Sequence, residues 1–252
     1  MSHVTHQSAT AGHLGDEVGK ILADAESLCR AVVGRDLGET PLYIVPQSSL
    51  PPDCGAGDHC YGYTTPSLDL YLADHISSYR GRGPCMVIND LALAMDHHPD
   101  DIEYVVPAFV LHELAHILER PALFEDRTGV DPLRLKFEAL VVADVGQRPV
   151  RNDLPAYFGH EAGFIRIALH LRYRALRHGV SIAPGQLCAG YRYGLSHARR
   201  YVDALGSEPA RLIDASFTNI RTTKPPPAFS SLWCDDFIAF HQRFPLQKGT
   251  LP

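Results

Sequence analysis

The sequence predicts an α+β fold: a small mixed β-sheet packed beside one strongly apolar helix, followed by a helical C-terminal half. Three observations support this. The 252-residue chain is 45% hydrophobic, enough for a sizeable core. Strand-like runs are confined to the first hundred residues, and helical periodicity dominates after them.

Residues 1–13 are polar and small and read as a loose N-terminal arm. Val18, Ile21, Leu22, Ala25, Leu28, Val32 and Val33 then trace a helical stripe that ends at Gly34. PLYIVP at 41–46, LDLYLAD at 68–74 and PCMVINDLAL at 84–93 read as strands, the first two separated by the turn-rich loop SLPPDCGAGDHCYGYTTP. Asp100 or Asp101 can cap a helix running through DIEYVVPAFVLHELAHILER, where Pro107 either kinks it or marks its first turn. Three helical segments follow: DPLRLKFEALVVADVG from Asp131, GHEAGFIRIALHLRYRALRHG from Gly159, and PGQLCAGYRYGLSHARRYVDALG from Pro184. Residues 14–205 read as one domain, and 206–252 as an irregular extension that packs on it, with KPPPAFS and the aromatic cluster LWCDDFIAFHQRF.

The formal charge of −6 argues against a surface built throughout for nucleic acid. The N-terminus lacks the basic start and apolar run of a secretion signal, and no apolar stretch reaches membrane-spanning length. The six cysteines are scattered through a chain too large to need disulfide staples. These features lead to the expectation of a reduced, cytoplasmic protein without membrane partners.

The chemistry-bearing stretch is His112-Glu113-Leu114-Ala115-His116. Residues four apart share a helix face, so His112 and His116 can direct ring nitrogens at one metal ion. Glu113 points to the side of that face, where a general base acting on a zinc-activated water belongs. Fourteen histidines raise the odds of a chance match. Against chance stands the apolar setting, because each unpaired buried histidine would cost about 1–3 kcal/mol.

HELAH resembles the active-site motif of the zincin metallopeptidases, in which the two histidines bind zinc and the glutamate is the base. The resemblance implies a zincin-like domain, a Zn2+ cofactor, a protein or peptide substrate, and hydrolysis of peptide bonds with Glu113 as general base. MVINDLAL at 86–93 sits where the substrate-binding edge strand of such enzymes would lie. The metzincin extension is absent, since Ile117-Leu118-Glu119-Arg120 follows His116 directly.

Two residues compete as third ligand. His160 in GHEAGF resembles the HGxxF segment of SprT-like and related intracellular zincins, in which a phenylalanine one turn on packs beneath the ligand. Here position 161 is Glu where the family has Gly, and an inserted helix at 131–145 accounts for the longer separation. Glu138 in KFEAL resembles the gluzincin arrangement, or else serves as an acceptor for a ligand imidazole. His160 is preferred and Glu138 is the alternative.

Other signals are subordinate. Cys54 and Cys60 lack zinc-knuckle spacing and read as loop residues. Arg166, Arg172, Arg174 and Arg177 put positive charge on one helix, which in an acidic chain reads first as a solvated face; the likeness to SprT-like enzymes, which act on DNA-attached protein, implies a nucleic-acid face as the alternative. Tyr157 and Tyr173 are candidates for stabilising an oxyanion. The opposing class is a zincin-shaped, non-catalytic metal-binding or interaction protein, which would have no use for Glu113.

Overall fold

The computed structural model describes residues 7–54, 61–119, 160–188 and 198–243. It is mixed α+β, with a three-stranded sheet and a predominance of helix.

Helix α1 (Gln7–Val33) begins inside the stretch expected to be a loose arm. Its apolar stripe is buried from Val18 to Val33, and Gly34 ends the helix with φ of 62°, a left-handed conformation that glycine adopts without side-chain strain. The sheet comprises β1 (Tyr43–Pro46), β2 (Gly62–Thr64) and β3 (Cys85–Ile88) in the order β1-β3-β2. β1 runs parallel to β3, with Tyr43 opposite Cys85, and β2 antiparallel, with Gly62 opposite Ile88. Every residue of β3 is buried, as a central strand covered on both faces requires. Its side chains alternate: Met86 and Ile88 enter the main core, while Cys85 and Val87 join a smaller one with Tyr43, Leu68 and Leu72.

Two strand expectations are corrected. LDLYLAD forms a helical turn, α2 (Leu68–Tyr71), and the third strand comes from the loop before it. Leu68 and Leu72 satisfy a helical spacing as well as an alternating one, and the Asp69 carboxylate between them accepts from Arg82 Nε at 2.8 Å and Gly83 N at 3.0 Å. The strand in 84–93 stops at Ile88, where Asn89 caps α3 (Asp90–Asp96) by accepting from Ala92 N at 3.0 Å.

Helix α4 (Pro99–Glu119) carries the motif. Pro99, not Pro107, occupies its first turn, Asp100 and Asp101 lie inside that turn, and Pro107 is interior. The helix is buried nearly all round from Val105 to Leu118, because α1, β2, β3 and α5 (Ala162–Arg177) all pack against it. The chain then forms α6 (Pro184–Leu187) and α7 (Ala198–Leu205).

As far as Arg243, the extension after residue 206 is not irregular. It forms α8 (Glu208–Arg211), α9 (Phe217–Thr222) and α10 (Pro227–Arg243). Phe217, Ile220, Phe229 and Leu232 are buried in the same core as the motif helix. Pro227 opens α10, so the proline run that signals irregular chain in sequence also starts a helix. No helix among the described residues is long and apolar enough to cross a membrane. Cys29, Cys54, Cys85, Cys188 and Cys234 are free thiols.

Candidate metal centre

His112 and His116 stand one turn apart on α4, and His160 comes from the residue pair just before α5. The three rings form a near-regular triangle, with centroids 4.9, 5.0 and 4.9 Å apart. Their ligand nitrogens all lie within 4.8 Å of one another. Phe164, fully buried one turn into α5, lies against all three: stacked on His116 at 4.3 Å and edge-on to His112 and His160 at 4.9 and 4.8 Å. The expectation of a phenylalanine packed beneath the site matches this placement. His160 precedes the helix, and the extended backbone of Glu161 at its N-cap lets the ring fold back over Phe164.

The donor set fits a tetrahedral metal ion. His112 Nδ1 is 2.8 Å from the Leu187 carbonyl oxygen, which can only accept, so the ring carries its proton there and its Nε2 presents a lone pair. That Nε2 lies 3.3 Å from His116 Nε2 and 3.1 Å from His160 Nε2. Two nitrogens held at about 2.0–2.1 Å by one tetrahedral ion stand about 3.3 Å apart. Imidazole nitrogen is a ligand suited to zinc, and to copper, iron and nickel as well.

Burial sets the charge states. His112 is 7% exposed, and that burial, reinforced by His160 nearby and opposed by the Leu187 bond, lowers its pKa to about 3. It is therefore the neutral imidazole a metal requires. Glu113 is 4% exposed, and burial raises its carboxyl to about 8 against the pull of the Thr64 backbone N–H.

Glu113 leans on β2. A Cβ on Gly62 would meet Glu113 Cγ at 3.4 Å and Val87 O at 3.2 Å, so glycine permits the strand to run this close to the motif helix. This moves the expected edge strand. MVINDLAL supplies β3, which lies between β1 and β2 and cannot offer an edge; the strand at the sheet's end beside Glu113 is β2.

The remaining expectations fall unevenly. Glu138 and Tyr157 lie outside the described residues, as do the helix expected at 131–145 and Cys60. Tyr173 lies eleven positions beyond Ala162, the first residue of α5, roughly 16 Å along the helix axis and three turns past the end that carries the three rings. The basic face is not built. Arg166 and Arg174 are buried, Arg172 is half-buried, and of the four only Arg177 is exposed. Arg166 donates to Glu208 at 2.8 Å and Arg174 to Val32 O at 2.9 Å, so these arginines hold other helices onto α5.

Sequence reasoning missed Leu187 and Gly62. The first acts through its backbone carbonyl, which no side-chain pattern signals. The second had a faint signal, a glycine followed by Tyr and Thr, hidden at the end of a turn-rich loop. No family model, curated protein or solved structure matches the chain.

Proposed function

We propose that this protein is a zinc-dependent metallopeptidase with His112, His116 and His160 as ligands and Glu113 as general base and acid. The carrying observation is the convergence of three imidazoles, with the His116 and His160 nitrogens each at tetrahedral spacing from that of His112, and a buried carboxylate on the next residue of the same helix. A structural zinc site is ordinarily closed by four protein ligands, whereas the three found among the described residues leave a position for chemistry. Zinc, when bound, supplies a Lewis acid that polarises a carbonyl and acidifies water.

The residues of the chain do the rest. Glu113, held against Gly62 and Thr64 of β2, would take a proton from the attacking water as its oxygen bonds to the scissile carbonyl carbon, and return it to the amine nitrogen as the C–N bond breaks. The positive charge of a bound ion favours its carboxylate form over the protonated one that burial alone imposes. Phe164 and the Leu187 carbonyl hold the imidazoles in place. The GHEAGF segment, with Phe164 beneath the rings, supports the likeness to SprT-like enzymes. Buried free thiols support a reduced, cytoplasmic setting.

Incubation of zinc-loaded protein with an unfolded protein substrate tests the reading. The Glu113→Gln variant should retain zinc and lose hydrolysis by about 10²–10⁴-fold, the range ascribed to a positioned base. Equal activity in that variant, or none in the zinc-loaded wild type, would contradict it.

A further inference from the structure

Arg172 stands on α5, remote in sequence from every candidate ligand, yet it connects to one of them through two hydrogen bonds. Its Nε donates to Ile182 O at 2.6 Å, and six residues from position 182 to 187 lead to the carbonyl that accepts from His112 Nδ1 at 2.8 Å. The chain between the two anchors is short and packed. Ile182 is 2% exposed, Leu187 and Cys188 are fully buried, and Pro184 fixes the first turn of α6.

The way back to the site is set by the end of α5. Gly179 takes φ of 81°, and Val180 N donates to Ala175 O at 3.0 Å, which closes the helix and reverses the chain. Residues 160–188 therefore form one continuous clamp. Its first residue is the third imidazole, and its last turn supplies the acceptor that fixes the ring of His112.

We propose that Arg172 is a positioning residue for the metal centre: by anchoring the Ile182–Leu187 strap to α5, it holds the Leu187 carbonyl where it selects the His112 tautomer with a free Nε2. A neutral imidazole without that acceptor distributes its proton over both nitrogens, and the fraction protonated at Nε2 cannot ligate. The consequence for metal binding rests on the three-histidine reading above; the consequence for the tautomer does not.

The test separates the two. Arg172→Met keeps the apolar stem and removes the donor, while Arg172→Lys keeps a donor. In zinc-free protein labelled with nitrogen-15 on histidine, His112 of the wild type should show its proton on Nδ1. Arg172→Met should show a mixture, and Arg172→Lys should recover the wild-type pattern. Zinc affinity should fall about 10–100-fold in Arg172→Met, as for other groups that orient a ligand, and recover in the lysine variant. An unchanged His112 tautomer in a folded Arg172→Met variant overturns the inference, whatever zinc does. A tautomer change in a protein whose wild type binds no zinc upholds the positioning role and overturns the metal reading instead. Should Arg172→Met not fold, Arg172→Leu, which also lacks the donor, takes its place under the same criterion: a mixed tautomer upholds the positioning role, and an unchanged one overturns it.

Discussion

Glu113 shows how one residue can be a liability to the fold and an asset to the site. In metal-free protein its buried carboxyl holds a proton up to about pH 8, whereas the unfolded chain releases that proton near its ordinary value of 4.5. The native state thus binds more protons between those values, so this group's effect is to lower stability as pH rises through that window. Glu113→Gln removes the effect. In the presence of a chelator, thermal melts should show the variant level with wild type near pH 4.5 and increasingly more stable towards pH 8. A constant difference across the range would show that Glu113 is not buried as described. At this scale the sequence is most readable for residues whose side chains carry the chemistry. His112, Glu113, His116, His160 and Phe164 announce themselves by type and spacing, and the structure brings the three rings and Phe164 together. The Leu187 carbonyl is silent, since every residue owns one.

At the scale of elements, helix α5 organises the site and the fold on different faces. Phe164 faces the imidazoles, whereas Arg166 and His170, one turn apart, both reach Glu208 of α8 at 2.8 and 2.9 Å. Arg174, a further turn on, donates to Leu212 O and Ala215 O and lies over the Phe217 ring at 4.4 Å. Read from sequence, these arginines suggest a charged surface, because periodicity alone cannot show that one face of α5 meets other helices rather than solvent. Glu208 and Arg166 are 3% and 4% exposed, so Glu208→Ala leaves a buried guanidinium without its carboxylate. That variant should lose about 3–5 kcal/mol of stability by denaturant titration, far more than an exposed pair would contribute. A loss below about 1 kcal/mol would mean that water reaches Arg166.

For the molecule as a whole, the class of fold was readable and its layout less so. The apolar stripe of α1 and the apolar run of α4 announced the helices that form the core, because their periods are long and unambiguous. Short elements are not legible: β2 has three residues and α2 four, too few for a period to declare itself. The C-terminal segment concealed its helices behind prolines that open rather than break them. Its burial has a consequence. Tyr201 of α7 packs on Phe229 and donates to Asp236 at 2.7 Å, and Arg221 donates to Glu119 O at 3.0 Å, at the very end of the motif helix. A chain cut after Gly206 should therefore lose cooperative unfolding, followed by circular dichroism, because Phe217, Ile220, Phe229 and Leu232 leave the core together. A truncated chain that melts like the whole would show the segment to be an appendage.

The central claim is that three imidazoles, the third of them His160, hold a metal ion. Metal analysis of purified protein tests it most directly. Wild type should carry one zinc per chain, and Glu138→Ala should carry nearly as much. His160→Ala should carry little or none while retaining its fold. Full zinc in His160→Ala together with its loss in Glu138→Ala would contradict the account and transfer the third ligand to the carboxylate.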